Sequence, residues 1–390
     1  MISVLSLTRK PLAWIALVLF SMILTACNPT GIGTGPSINT GKPVPVALLV
    51  PGGSGNGGDD VLASSLVNAA RLAISDLDGV KIDLRVYNTA GAPDQASTAA
   101  RQAVNEGAKI ILGPVFAEAA NAAGVAVAGR NINVLAFSNN TSIAGGNVFV
   151  LGPTFQNTAN RLVRYSVARG KPHIMIVHGQ DAAELAGRDA ISRAVSNSGA
   201  SQAGVTSFEL SQQGVINAIP QISGDIKARA AQSVFFTSGT SGALPFLAQL
   251  LPENGVDPAQ TQFIGLQRWD IPATALALPG VQGGWFAIPD PNLSANFQNR
   301  YTAAFGETAH PIAGLAYDGI AAIGALVKAG QADALTKTAL TQGAGFVGVN
   351  GVFRLLSDGT NERGLAVAQI QDNQVIVIDP APRRFGGSGF

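Results

Sequence analysis

The sequence predicts an α/β protein built from doubly wound, parallel sheets. Short and continuous apolar runs, such as residues 46–50 and 110–112, indicate strands that are covered on both faces. Helical segments with apolar residues three and four positions apart alternate with these runs. Because parallel strands are joined by crossover helices, this alternation favours a doubly wound arrangement.

Residues 109–141 contain the clearest strand–helix–strand unit. In chain order its parts are strand 110–112, the turn Gly113-Pro114, helix 115–129, strand 134–137 and the polar cluster Ser138, Asn139, Asn140 and Thr141. Ligands of open parallel sheets bind beyond the carboxyl ends of the strands. The cluster is uncharged and rich in donors, so it favours a small polar ligand over a phosphate or a nucleic acid.

The same alternation continues on both sides of this unit. The preceding segments are predicted as strand 46–50, helix 61–77, strand 82–87 and helix 94–106. The following segments are predicted as helix 157–169, strand 174–177, helix 182–198, strand 204–210, helix 215–226, strand 233–237, helix 243–251 and strand 262–266. The C-terminal region is predicted to add strand 285–288, helices 293–305 and 312–328, and strands 365–370 and 375–378. Patterning alone therefore predicts two consecutive α/β domains of similar plan.

Residues 1–27 have the pattern of a secretory signal peptide. Arg9 and Lys10 precede an apolar stretch at 11–23, which is shorter than the ~20 residues that cross a membrane comfortably. The tetrapeptide Leu-Thr-Ala-Cys that ends at Cys27 resembles the lipobox of bacterial lipoproteins, in which the cysteine is lipidated. Cys27 is the only cysteine in the sequence, which strengthens this resemblance and leaves no internal disulfide. An uncleaved anchor helix is the alternative.

Residues 28–43 are rich in glycine, proline, serine and threonine and show no apolar period. This composition predicts a flexible tether. Fully extended, the chain from Cys27 to Val44 spans at most about 60 Å. Acyl chains on Cys27 would hold the folded part at a membrane surface.

The composition excludes several functional classes. Charged residues make up 13% of the sequence and the net charge is +1, so we expect no surface that binds nucleic acid. Hydrophobic residues make up 47%, which indicates a compact protein rather than a disordered one.

No combination of residues indicates catalysis, a metal ion or a cofactor. The glycine-rich loop 52–58 lacks the lysine of a phosphate-binding loop and is followed by Asp59 and Asp60, which would repel phosphate. We therefore interpret this loop, including Ser54, as a flexible rim at the mouth of a cleft. The sequence has three histidines, His173, His178 and His310, and their spacing is not that of metal ligands. His178 ends a strand, and a structural role is favoured over a role in the cleft.

The order of these elements resembles the type I periplasmic solute-binding proteins of the leucine/isoleucine/valine-binding kind over residues 44–379. The matching motifs are Ile111-Leu112-Gly113-Pro114, the strand that leads into Ser138-Asn139-Asn140-Thr141, Ala316-Tyr317-Asp318, and Gly351-Val352-Phe353 followed by Asp358-Gly359. The resemblance implies a type I periplasmic binding protein fold, with two doubly wound parallel-sheet lobes joined by three crossovers. The implied crossovers lie near residues 152–155, 289–291 and 348–351. They divide the chain into lobe I (44–152 and 290–350), lobe II (153–289 and 351–379) and a C-terminal tail (380–390).

The resemblance also implies a small polar solute, amino-acid-like or carboxylate-bearing, that binds between the lobes as in ABC-transporter substrate-binding proteins. The acid that holds the ammonium group in amino-acid binders falls near Gln267, next to Arg268, so a carboxylate suits Arg268 better. The predicted ligand-binding residues are Ser54, Pro114, Phe116, Ser138, Asn139, Asn140, Thr141, Gln180, Asp181, Ser238, Thr240, Gln267, Arg268 and Trp269.

A lipobox followed by this fold also resembles the lipoproteins described as penicillin-binding protein activators. In that group the fold binds a peptidoglycan synthase and acts as an interaction module. In lipoproteins of Gram-negative bacteria, a residue other than Asp after the cysteine directs the protein to the outer membrane, and Asn28 stands here. The expected location is therefore the periplasm-facing cell envelope, and the expected partner is an ABC permease or a peptidoglycan synthase.

Overall fold

The computed structural model describes residues 35–386. In this part of the chain the strands form a five-stranded, a seven-stranded and a three-stranded sheet. The two larger sheets carry helices on both faces and define two lobes, which we call lobe I and lobe II.

The sheet of lobe I is parallel throughout, with the order β2-β1-β3-β4-β5. Its strands are β1 (Val44–Val50), β2 (Ile82–Asn88), β3 (Ile110–Leu112), β4 (Val134–Ala136) and β5 (Val148–Val150). The order reverses between β1 and β3, and such a reversal opens a crevice at the carboxyl ends of the strands.

Helices bury apolar side chains on both faces of this sheet. One face is covered by α1 (Gly57–Ser75), α8 (Pro291–Phe305) and α9 (Gly314–Lys328). The other face is covered by α2 (Pro93–Asn105) and α3 (Ala117–Val127), whose contact surface is mostly alanine. Continuous burial on both faces explains why β1, β3, β4 and β5 are apolar, whereas the edge strand β2 is only partly buried and carries polar residues.

The sheet of lobe II has the order β15-β14-β10-β9-β8-β6-β7. Its strands are β6 (His173–Gly179), β7 (Ser201–Phe208), β8 (Ser233–Phe236), β9 (Gln262–Gly265), β10 (Trp285–Ile288), β14 (Ala366–Gln371) and β15 (Gln374–Asp379). β14 pairs antiparallel with β10 and with β15, and all other neighbours in this sheet are parallel. One face is covered by α4 (Phe155–Ala168) and α5 (Ala182–Ser196), and the other by α6 (Gln212–Ala228) and α7 (Leu244–Glu253).

A small antiparallel sheet lies where the chain returns to lobe II. It consists of β11 (Phe346–Gly348), β12 (Gly351–Leu355) and β13 (Asn361–Arg363), preceded by the short helix α10 (Lys337–Leu340).

The chain passes between the lobes after β5, after β10 and after β13, so the lobes are interleaved in sequence. Phe353 and Leu355 belong to the core of lobe I. Their packing favours a third passage between β13 and β14, later than the predicted 348–351.

Part of the predicted flexible tether is packed against lobe I. Ile38 is 6% exposed and belongs to the core of that lobe. Its amide donates to the carbonyl of Ala332 at 2.8 Å. The prediction of a free tether up to residue 43 is therefore wrong from Ile38 onward, because a single apolar side chain finds a place in the core. The predicted signal peptide and the predicted lipidation site Cys27 lie outside the described residues.

Within residues 35–386, no helix combines the length and the apolar character that a membrane span requires.

Candidate functional site

A cavity of about 830 Å³ lies between the two lobes. Lobe I contributes the turn after β4, lobe II contributes α4 and α5, and the turn between β12 and β13 closes one side. The residues in its wall are Asn139, Asn140, Thr141, Thr154, Phe155, Gln156, Asn157, Asn160, Ala182, Ala183, Ala186, Asp189, Ala190, Arg193, Leu356, Asp358, Thr360, Asn361 and Glu362. Most of these residues have polar side chains, and both lobes provide them.

The first turns of α4 and α5 lie in this wall. Thr154 caps α4 directly after the first passage between the lobes, and its side chain accepts from the amide of Asn157 at 3.3 Å. Asp181 caps α5 and accepts from the amide of Glu184 at 2.7 Å. Helix N-termini carry a partial positive charge and free amides. At α5 the carboxylates of Asp181 and Glu184 already meet this positive charge, so it is the N-terminal turn of α4 that favours an anionic group.

The charged residues of the cavity fall into two kinds. Asp189 pairs with Arg188 at 2.6 Å, and Glu362 pairs with Arg354 at 2.5 Å. Arg193 and Asp358 are exposed and have no ion-pair partner within residues 35–386. One positive and one negative group thus remain open to a ligand.

The buried carboxylate of Glu184 connects two loops of lobe II. Glu184 is 7% exposed and accepts hydrogen bonds from the amide of Gly179 at 2.9 Å, from Ser238 Oγ at 2.6 Å and from Thr237 Oγ1. It stands in the first turn of α5, where the helix dipole favours a negative charge. Glu184 therefore fixes the ends of β6 and β8 relative to α5.

The passages between the lobes are joined by a second buried charge. Arg363 on β13 donates from Nε to the carbonyl of Leu151 at 3.0 Å and pairs with Asp318 on α9 at 3.1 Å. Asp318 has no exposed surface and also accepts from the amide of Val349 at 2.8 Å. Burial raises the pKa of Asp318, and the guanidinium of Arg363 acts in the opposite direction.

Asn361 reinforces this junction. Its amide nitrogen donates to the carbonyls of Val150 at 2.7 Å and Gly152 at 2.9 Å, where the chain leaves β5 at the start of the first passage. The first and third passages are therefore fastened to each other at the edge of the cavity.

Of the predicted binding residues, Asn139, Asn140 and Thr141 lie in the cavity wall. The other predicted residues of lobe I are not part of it. Ser54 donates to Asp59 Oδ2 at 2.8 Å. Pro114 is buried, Phe116 is 40% exposed at the start of α3, and Ser138 is 6% exposed. Ligand contact by any of these residues stays a prediction.

The predicted residues of lobe II are occupied by contacts within the lobe. Asp181 is the cap of α5, and Gln180 Nε2 lies 3.4 Å from Ser207 Oγ. Thr240 donates to the carbonyl of Ile271 at 2.6 Å, and Gln267 donates to the carbonyl of Thr237 at 2.9 Å. Ser238 has no exposed surface, and its hydroxyl donates to Glu184.

Two of the lobe II predictions need correction. Arg268 does not face the cavity as a free cation, because its Nε and Nη2 bond to Asp270 at 2.9 and 2.5 Å. Trp269 has no exposed surface and packs in the core of lobe II. Its indole fits there because Gly265 and Gly284 have no Cβ, which at either position would lie 2.2 Å from the ring.

Sequence reasoning missed Glu184, Arg193 and Asn361. The spacing Asp181-x-x-Glu184 before an apolar helix is the pattern of a helix-capping box, and it could have identified Glu184 as a residue of the first turn. Arg193 shares one face of α5 with Ala182, Ala186 and Asp189, at helical spacing. Asn361 stands in a three-residue strand, and no local pattern marks it.

The histidines and acidic residues do not assemble a metal centre. Among residues 35–386, no group of three or more His, Cys, Asp or Glu side chains could hold a metal ion. His178 is 5% exposed, and its Nδ1 lies 2.6 Å from the carbonyl of Gly179.

Several solved structures share this fold. A branched-chain amino acid ABC transporter periplasmic ligand-binding protein from Burkholderia xenovorans is 19% identical with a TM-score of 0.67, covering 88% of this chain and 97% of that one. An ABC transporter substrate-binding protein from Desulfitobacterium hafniense in complex with Leu is 15% identical with a TM-score of 0.62, covering 86% and 100%. An ABC transporter solute-binding protein from Rhodopseudomonas palustris in complex with 3,4-dihydroxybenzoic acid is 17% identical with a TM-score of 0.57, covering 88% and 97%.

A search of curated proteins found no match. The model of a family described as periplasmic binding protein matches residues 43–374. This match confirms the resemblance to the leucine-binding kind of type I periplasmic binding proteins and agrees with the two interleaved α/β lobes. The chain therefore belongs to the periplasmic binding protein family.

Proposed function

We propose that this protein is the substrate-binding component of an ABC transporter and captures a small, polar, carboxylate-bearing or amino-acid-like solute between its lobes. The supporting observation is the cavity of about 830 Å³, whose wall comes from both lobes and contains many polar residues. Its volume lies within the usual range of small-molecule sites, roughly 300–1,000 Å³. In this proposal the protein binds and releases its ligand and catalyses no reaction.

The ligands of the similar structures support the carboxylate-bearing class. The Desulfitobacterium hafniense protein was solved with Leu, and the Rhodopseudomonas palustris protein with 3,4-dihydroxybenzoic acid. Both molecules are small carboxylic acids. The partial positive charge at the N-terminus of α4, in the wall of the present cavity, suits the same group.

A thermal-shift screen of the purified full-length protein tests this proposal. The screen covers amino acids, aromatic carboxylates, sugar acids, neutral sugars and muropeptides. A ligand at 100 times its dissociation constant should add about 2.7 kcal/mol to the free energy of unfolding and raise the melting temperature. If no solute of any class shifts the melting temperature, the solute-binding proposal is wrong.

The proposal places the protein at a membrane surface of the cell envelope, facing the periplasm, through lipid on Cys27. Because Ile38 is docked on lobe I, the chain from Cys27 to Ile38 can span at most about 40 Å. Membrane fractionation tests the anchor. Wild-type protein should sediment with membranes, and the Cys27→Ser variant should not.

The short tether also favours a second candidate function in a Gram-negative cell. Asn28 predicts the outer membrane, and a tether of about 40 Å holds the lobes close to that membrane and away from an inner-membrane permease. There the fold would serve as an activator that binds a penicillin-binding protein. Outer-membrane fractionation together with co-purification of a peptidoglycan synthase, and no solute in the screen, would favour this second function.

A further inference from the structure

The arginine that sequence reasoning assigned to a ligand carboxylate is already engaged. Both bonds of Arg268 go to Asp270, and neither residue belongs to the wall of the interlobe cavity. Arg193 on α5 is the arginine in that wall. We propose, resting on the solute-binding function above, that the ligand is a dipolar molecule whose carboxylate binds Arg193 and whose ammonium group binds Asp358.

The side chain of Arg193 is held in place without being neutralised. Its Nε donates to Gln156 Oε1 at 2.8 Å. Gln156 is fixed in turn, since its Nε2 donates to Asn160 Oδ1 at 2.8 Å and to the carbonyl of Ala190 at 3.1 Å. No hydrogen bond within residues 35–386 engages Nη1 or Nη2 of Arg193. These two groups present the parallel donors that bind a carboxylate in a bidentate manner.

The backbone near Arg193 adds to the attraction for an anion. Gln156 is the second residue of α4, so its bond to Arg193 brings the guanidinium to the N-terminal turn of that helix. Phe155 and Gln156 both lie in the cavity wall. The positive end of the helix dipole therefore acts in the same direction as the guanidinium.

Asp358 faces the cavity from the side of lobe I. Its Oδ1 accepts from the amide of Thr360 at 2.9 Å and from Thr360 Oγ1 at 2.7 Å, and no described bond engages Oδ2. The turn that carries Asp358 is tied to lobe I, because the amide of Val150 on β5 donates to the carbonyl of Gly359 at 2.8 Å. Asp358 is thus an oriented carboxylate with one oxygen available to a cationic donor.

The two open charges lie on opposite sides of the gap between the lobes. Arg193 belongs to a helix of lobe II, and Asp358 to a turn fastened to lobe I. The other charged groups of the wall, Asp189 and Glu362, are paired with Arg188 and Arg354. A molecule that satisfies both open charges must bridge the lobes. The cavity follows α5 from Ala182 to Arg193, about 16 Å of helix, so it accommodates solutes longer than glycine.

Isothermal titration calorimetry on the full-length protein tests this assignment. The dipolar probes are glycine, leucine, 4-aminobutyrate and 6-aminohexanoate, which sample different separations of the two charges. Hexanoate lacks the ammonium group, hexylamine lacks the carboxylate, and galactose is uncharged. We expect at least one dipolar probe to bind, and hexanoate and hexylamine to bind at least about 10-fold more weakly than 6-aminohexanoate or not at all.

Three variants locate the binding groups. Arg193→Gln and Asp358→Asn should each lower the affinity for the best dipolar probe by about 10-fold or more, because each removes a charge-assisted hydrogen bond. Arg268→Gln is the matched control and should change the affinity by less than about twofold. Without ligand, the melting temperatures of Arg193→Gln and the wild type should be equal. A loss of binding in this variant would then not be caused by a loss of folding.

The outcomes separate this inference from the proposed function. Binding that survives both Arg193→Gln and Asp358→Asn, or that is lost in Arg268→Gln, overturns the assignment and keeps the solute-binding function. If galactose or hexanoate binds and no dipolar probe does, the dipolar ligand class is wrong and the solute-binding function stands. If neither these probes nor the wider thermal-shift screen yields a ligand, both proposals fall.

Discussion

Asp318 occupies the most demanding position among the charged side chains of the junction between the lobes. It has no exposed surface, and its carboxylate contacts Arg363, which is 7% exposed. A buried charge that loses its partner is strongly destabilised, typically by about 3–5 kcal/mol. Arg363 also bonds to the carbonyl of Leu151, so one pair of charges connects α9, β13 and the first passage between the lobes.

We expect Asp318→Asn to lower the free energy of unfolding by about 3–5 kcal/mol, because the amide keeps the shape but leaves Arg363 without a counter-charge. Urea denaturation followed by circular dichroism measures this loss. Asp78→Asn is the control, since Asp78 pairs with Lys328 at 3.2 Å on an exposed surface, with side chains 93% and 62% exposed. It should leave the urea midpoint unchanged. Equal midpoints for Asp318→Asn and the wild type would show that the pair is dispensable.

Some single residues of the site could be predicted from the sequence, and others could not. Asn139, Asn140 and Thr141 were predicted from the rule that polar clusters after parallel strands face the ligand crevice, and they do lie in the cavity wall. The same rule failed for Trp269, because Gly265 and Gly284 make room for its indole in the core. It also could not distinguish Arg268 from Arg193, since the partner that engages each guanidinium is set by tertiary structure.

At the scale of elements, one polar cluster connects three helices of lobe I. Asp76 follows α1, Arg300 lies on α8 and Tyr317 lies on α9. Arg300 Nη2 contacts the two carboxylate oxygens of Asp76 at 2.5 and 2.7 Å, and Tyr317 donates to Asp76 Oδ2. Partial burial acts to raise the pKa of Asp76, but the hydrogen bonds from Arg300 and Tyr317 outweigh it and hold the pKa below its usual value of 3.8.

This cluster predicts a stability that depends on pH. Because the pKa of Asp76 is lower in the folded state, its contribution is present above pH 3.8 and is lost as the pH falls through the folded-state value. Arg300→Gln should reduce the free energy of unfolding by about 0.5–1 kcal/mol at neutral pH, since the pair is partly exposed. The difference from the wild type should shrink in acid.

Urea midpoints measured from neutral to strongly acidic pH test this dependence. Lys328→Gln serves as the control, because it removes an exposed partner of Asp78 and should leave the pH profile unchanged. A difference between Arg300→Gln and the wild type that stays constant throughout the titration would contradict the role assigned to Asp76.

Most elements of the two large sheets, with the exception of the three-residue strand β5, could be predicted because they have a strong local pattern. The buried strands are uninterrupted apolar runs, and the helices that cover them repeat apolar residues at helical spacing. The small sheet was missed for the opposite reason. β11 and β13 have three residues each and alternate buried and less buried positions, which gives no run that stands out from a loop.

At the scale of the whole molecule, local patterning could not predict how the lobes share the chain. Two consecutive domains and two interleaved lobes have the same order of strands and helices along the sequence. Only the family resemblance indicated that the chain returns to lobe I after β10, and the packing of α8 and α9 in the core of lobe I agrees with this. Interleaving matters for function because three passages, rather than one linker, govern how the lobes move relative to each other.

The three passages predict a change of shape on binding. The cavity of about 830 Å³ is larger than a solute such as leucine or 6-aminohexanoate, so contact with both walls requires the lobes to approach each other. A ligand shifts a conformational equilibrium toward the state to which it makes more contacts, so a molecule that bridges Arg193 and Asp358 stabilises the arrangement of the lobes in which both contacts are made. We therefore expect the radius of gyration from small-angle X-ray scattering to fall when the best dipolar probe saturates the protein.

Arg268→Gln should show the same decrease in the radius of gyration, whereas Arg193→Gln at the same probe concentration should not. Full occupancy by calorimetry with no decrease in radius would mean that the cleft is rigid and that the passages do not act as a hinge.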